Sequence, residues 1–108
     1  MVNRIKELLV KIDELTDYFY KDNQSKGYDG LSKIMPVITS IMSDFLHDIP
    51  TFNECGMSIP LDIVIAQLNN LIEAIKNKDT IKTADCLKYE ITDSLSLYME
   101  ILVEVQNG

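Results

Sequence analysis

Apolar residues recur along this 108-residue chain at alternating intervals of three and four, and no other feature constrains the fold as strongly. Ile5, Leu8, Ile12, Leu15 and Phe19 form a first stripe. Tyr28, Leu31, Met35, Ile38, Met42, Phe45 and Ile49 form a second, and Leu61, Val64, Leu68, Leu71 and Ile75 a third. The fourth runs Ala84, Leu87, Ile91, Ser94, Tyr98, Ile101, Val105, with Leu95 and Leu102 beside it. Such spacing keeps side chains on one helical face, and its mean of about 3.5 favours left-handed packing between neighbours. Leu9, Ile34, Ile41, Ile65 and Ile72 widen the stripes to the breadth a globular bundle buries. No stretch alternates with period two for long enough to form a strand. The expectation is an all-α chain, an antiparallel four-helix bundle built from two helical hairpins.

The breaks between stripes set the expected boundaries: helices over about 2–22, 29–49, 60–76 and 79–105, in a single domain spanning 1–108. "KDNQSKGYDG" separates the first two helices, with Ser25 or Asp29 as N-cap. "KNKD" separates the last two, and Asp79 caps the fourth. Short connections make one–two and three–four the antiparallel pairs. Between the hairpins, "PTFNECGMSIP" (50–60) is bracketed by prolines and too long for a tight turn. Pro36 removes an amide and crowds the Ser32 carbonyl. The stripe stays in phase across it and Met35 is a poor N-cap, so one helix kinked at Pro36 is expected.

An apolar fraction of 46% supplies a core, while the net charge of −7 argues against nucleic acid and against anionic membrane surfaces as partners. The ten basic residues are scattered along the sequence. "MVNRIKELLV" has early charges and no apolar core, unlike a signal peptide, and no apolar run is long enough to span a bilayer. Cys55 and Cys86 have neither metal-ligand spacing nor disulfide-scaffold density. They read as reduced thiols, so a cytoplasmic location is expected. The richness in Ile, Lys, Asn and Asp points to an AT-rich bacterial genome.

"ELTD" (14–17) nearly recurs as "EITD" (90–93), which raises the question of an acidic site. On a helical wheel Glu14 and Asp17 point roughly 150° from the first stripe, toward water. Asp93 points roughly 165° away from the fourth stripe, but Glu90 only about 105°. Cys86, Leu97 and Ile101 fall within about 40° of Glu90, so this carboxylate stands in a minor apolar strip and needs a polar partner. Metal-dependent helical hydrolases use several inward carboxylates on facing helices, and here one of four leans inward. "DFLH" (Asp44, His47) is at most half of a di-iron pattern, and His47 is the only histidine. Cys86 has no His partner in any readable pattern, and "GYDG" lacks the Lys-Ser/Thr of a phosphate loop. No catalytic set, metal site or cofactor site is expected, and no enzyme.

The residues left for function are surfaces. Phe52, Met57 and Ile59 lie in the 50–60 segment with no stripe to join, reading either as a plug over the bundle end or as a docking lip. Cys86, Glu90, Leu97 and Ile101 form the minor strip, which either broadens the core or meets a partner helix or a second copy.

Residues 68–95, "LNNLIEAIKNKDTIKTADCLKYEITDSL", resemble the C-terminal hairpin of a group of small uncharacterised bacterial proteins. Leu71, Ala74, Lys78, Asp79, Leu87, Tyr89 and Glu90 carry the match, and the resemblance implies a helical hairpin here. Those proteins often place a Pro shortly after the Glu, where this chain has Asp93 and Ser94. In size, acidity and hairpin architecture the chain also resembles flagellar and type III export chaperones. That resemblance implies binding of helical protein segments. The expected function is therefore a non-catalytic, chaperone-like interaction module for a partner's amphipathic helix. The alternatives are a homodimeric structural protein and a divalent-metal hydrolase using helix-borne carboxylates.

Overall fold

The computed structural model describes residues 1–107 and is all-α, with no strand among the described residues. α1 (Val2–Tyr20), α2 (Gln24–Glu54) and α3 (Leu61–Lys76) are followed by a fourth rod in three continuous pieces. These are α4 (Thr80–Asp85), a π-helical segment (Cys86–Ile91) and α5 (Thr92–Asn107). α1 packs on α2 and on the fourth rod, and α3 packs on the fourth rod and on α2, so four rods ring one core. None of the helices is long and apolar enough to cross a membrane among the described residues.

The stripes meet at the axis of that ring. All five residues of the first stripe are buried, as are Leu31, Ile38, Met42, Phe45 and Ile49 of the second. Val64 and Leu71 come from the third, and Ala84, Leu87, Ile91, Ser94, Tyr98 and Ile101 from the fourth. Tyr28, Met35, Leu61, Leu68 and Ile75 are half-buried against this core, and Val105 is 57% exposed: it continues the stripe, but the end of α5 has no core left to enter. Phe45 and Tyr98 stack across the diagonal of the bundle, centroids 4.7 Å apart, and the Tyr98 hydroxyl donates to Asp48 Oδ2 at 2.8 Å. A buried phenol thus keeps its hydroxyl satisfied while its ring fills the core.

Two expectations about α2 need correction. It begins at Gln24, capped by Asn23, whose side chain accepts from the Lys26 amide, not by Ser25 or Asp29. It also runs through Pro50 as well as Pro36 and ends at Glu54, so the prolines do not bracket a loop. Both prolines are exposed, which is where a lost helical hydrogen bond costs least. Packing beyond Pro50 holds the extra turn: Phe52 is half-buried, with its ring 6.4 Å from that of Tyr98. Asn53 then grips the chain as it returns, accepting from the Ile59 amide at 2.8 Å and donating to the Ile59 carbonyl at 3.0 Å. Only residues 55–60 are left as a connection, with Gly56 at φ +100 supplying the turn.

The GYDG stretch also has a structural role. A Cβ at Gly27 would lie 2.7 Å from Phe19 Cε1, and one at Gly30 would run into Leu15, so these two glycines let α1 and α2 approach.

The two short hairpin turns share one device. After α1, Asp22 takes a left-handed φ of 63, its amide donates to the Phe19 carbonyl and the Asn23 amide to that of Tyr18. After α3, Lys78 at φ 53 donates to Ile75 and Asp79 to Ala74. Each is a Schellman closure whose last residue immediately caps the next helix; Asp79 Oδ1 accepts from the Lys82 amide at 3.2 Å. α1 therefore stops at Tyr20, short of residue 22. A left-handed conformation costs a residue such as Lys about 1–2 kcal/mol that Gly avoids, partly offset by the greater unfolded-state freedom of Gly. Lys78→Gly is expected to raise stability by about 0.5–1 kcal/mol in urea unfolding. A lower midpoint would contradict this reading of the turn.

Candidate interaction face

The seam between α3 and the fourth rod holds most of the residues singled out from sequence. Two side-chain hydrogen bonds cross it: Asn70 Nδ2 donates to Glu90 Oε1 at 3.2 Å, and Ser94 Oγ donates to Gln67 Oε1. Both bonds lie on one antiparallel register, and one turn further on that register sets Ile63 level with Leu97. Ile63 is 56% exposed and Leu97 38% exposed, so this register brings two exposed apolar side chains to the same level of the hairpin.

The π-helical segment shapes the other end of the seam. The Leu87 carbonyl accepts the Thr92 amide five residues on, and the Thr92 hydroxyl also reaches it at 2.9 Å. The wider turn advances the chain by fewer degrees per residue than an α-helix, so the face that follows it is rotated from the one that precedes it. Within this turn Cys86 is buried, one turn before Glu90, the half-buried carboxylate that meets Asn70. Burial, then the Glu90 charge, push the Cys86 thiol up to about 11.

The seven candidate partner-binding residues divide on this structure. Cys86 and Ile101 belong to the core, which corrects the view of the minor strip as an open seam. Ile59 is likewise core, drawn in by Asn53. Phe52 and Met57 are half-buried against the same core at the bundle end. Glu90 is a polar anchor, and the polar partner it needs is the Asn70 amide. Leu97 alone is exposed, at 38%. Sequence reasoning missed Ile63, an Ile off the α3 stripe, and the seam partners Gln67 and Asn70. Ile65 and Ile72 also lie off the α3 stripe, so nothing in the spacing singles out Ile63.

The repeated tetrapeptides do not meet. Glu14 and Asp17 are exposed on α1 and Asp93 is exposed on α5, while Glu90 is engaged at the seam. Among the described residues no three His, Cys, Asp or Glu side chains converge as a metal ion needs. Asp44 and His47 are exposed on α2.

The basic residues are less scattered in space than in sequence. Arg4, Lys11, Lys26 and Lys33 line a continuous groove between α1 and α2, floored by Leu8, Leu15 and Ile34. Glu7, Glu14 and Asp29 interleave with them, and the exposed Lys33–Asp29 pair at 3.3 Å contributes a few tenths of a kcal/mol (about 0.3–0.5). That groove is a solvated mixed-charge surface. The fourth rod differs: beyond Lys88 it has no Lys or Arg and carries Glu90, Asp93, Glu100 and Glu104.

The fold and this face together define a small all-α bundle with an apolar pair set in an acidic surface. The chain belongs to the family described as a domain of unknown function (DUF8042), whose model matches residues 1–101. No curated protein and no solved structure matches it.

Cys86 offers a direct check of the seam. Folded, its thiol keeps its proton to about 11, whereas in the unfolded chain it releases the proton near 9. The stability this contributes is complete below about pH 9 and is lost as pH rises toward 11. Between pH 8 and 10.5 the wild type is expected to lose on the order of 2 kcal/mol more than Cys86→Ala in urea unfolding. Equal losses would remove the buried thiol from the account.

Proposed function

We propose that this protein is a non-catalytic interaction module that binds an amphipathic helix of a protein partner, in the manner of a chaperone. One observation carries the reading: Ile63 and Leu97 are both exposed outside a core filled from all four rods, and the register of the Asn70–Glu90 and Ser94–Gln67 bonds sets them level on neighbouring helices. Scattered single exposed apolar residues are ordinary, but an adjacent pair on neighbouring helices is a shallow seat for the apolar edge of another helix. On its inner side Asn70–Glu90 and Gln67–Ser94 link the two helices on which it stands. A pre-formed seat avoids part of the ordering cost of association. The resemblance in size and hairpin architecture to export chaperones fits the same reading.

Crosslinking pull-down from the native cell tests it, comparing the wild type with the double variant Ile63→Glu/Leu97→Glu. Both sites are exposed, so thermal unfolding of the variant is expected to stay close to wild type, with a cost of roughly 1 kcal/mol or less. The wild type is expected to capture a protein that the variant loses. Equal capture by both, with the variant folded, would overturn the proposal.

A further inference from the structure

The acids on the outer side of the fourth rod are not randomly placed. Glu90, Asp93, Leu97, Glu100 and Glu104 follow the same alternation of three and four that organises the core, but on a different face of the rod. The result is a second heptad stripe, apolar only at its centre. Asp93, Glu100 and Glu104 are exposed and Glu90 is half-buried. Across the seam, level with Leu97, stands Ile63, with exposed Asp62 next to it in the chain. The fourth rod offers no cation after Lys88, and on α3 the only basic residue is Lys76 in its last turn.

Resting on the docking face proposed above, we infer that its occupant is a basic amphipathic helix: an apolar edge that covers Ile63 and Leu97, flanked by Lys or Arg on both sides. Charge complementarity selects this occupant. A second copy of the chain is disfavoured, because a two-fold interface over this seam would set Glu90, Asp93, Glu100 and Glu104 against their own copies. An acidic or neutral helix would leave Glu90 and Asp93 uncompensated as they lose water, whereas Glu100 and Glu104 share a groove with Lys6 of α1. From Glu90 to Glu104 the stripe covers fourteen residue steps, which is about 21 Å of helix. Cations on the partner therefore belong about two turns before and two turns after its apolar anchor.

The test uses fluorescence anisotropy with the full chain and three labelled synthetic helices of roughly 20 residues. All three share one Leu stripe, and their flanks are Lys, Gln or Glu. The Lys-flanked peptide is expected to bind at least about tenfold more tightly than the Gln-flanked one at 50 mM NaCl. That advantage is expected to shrink to about twofold at 500 mM NaCl. The exposed triple variant Asp93→Asn/Glu100→Gln/Glu104→Gln is expected to bind the Lys and Gln peptides alike. Equal binding of the Lys and Gln peptides to wild type would overturn the inference about charge and leave the docking face standing. Binding of the Lys peptide that persists in folded Ile63→Glu/Leu97→Glu would place it elsewhere and overturn both. A concentration-dependent dimer of the free protein, abolished by Leu97→Glu, would make the occupant a second copy and also overturn the inference.

Discussion

Two hydrogen bonds across one seam, Asn70 to Glu90 and Ser94 to Gln67, fix how α3 meets the fourth rod, and the functional reading depends on that register. With it, Ile63 and Leu97 stand level on the surface while Ile101 turns into the core. A shift of one residue between the two helices would move one member of the pair out of line and break the apolar seat. The π-helical turn supplies part of the constraint, because it presents Glu90 toward Asn70 while burying Cys86 beneath it. The carboxylate's position is thus structural at its inner end and available as surface charge at its outer end.

The rest of the bundle serves to make that face rigid. Gly27 and Gly30 let α1 close on α2, Tyr98 reaches across the core to Phe45 and Asp48, and one Schellman turn joins each hairpin. Every buried side-chain polar atom among the described residues finds a partner, including Thr16, Thr83 and Ser94. The chain's unsatisfied surface is apolar and acidic, and it lies outside.

How far the sequence foretold this follows from the periods involved. The core stripes were legible because four helices bury their faces along one axis, and a spacing of three and four records burial directly. The Asp79 cap was legible for a similar reason, since a carboxylate before a helix start has one common use. The extension of α2 through Pro50 was not, because local proline chemistry argued for a break and the opposing force is tertiary packing of Phe52 and Asn53. Nor was the fate of Cys86 and Ile101. A wheel drawn at one constant angle per residue runs straight through a π-helical turn that no Pro or Gly announces, and it places residues on either side of the turn on one strip. Ile63 and Asn70 escaped notice because their role exists only between two helices. The acidic stripe is present in the sequence, but on one helix alone it reads as an ordinary solvated face, and only the seam with α3 sets a second apolar residue beside it.

Solvent paramagnetic relaxation of methyl resonances tests the central claim most directly, since it reads for each Ile and Leu how far its methyl groups lie from water. With a soluble paramagnetic agent, the methyls of Ile63 and Leu97 are expected to broaden strongly, while those of Ile59, Ile101 and Leu71 stay sharp. Protection of Ile63 and Leu97 equal to that of Ile101 in the monomer would mean that the apolar pair belongs to the core, and the docking face would not exist.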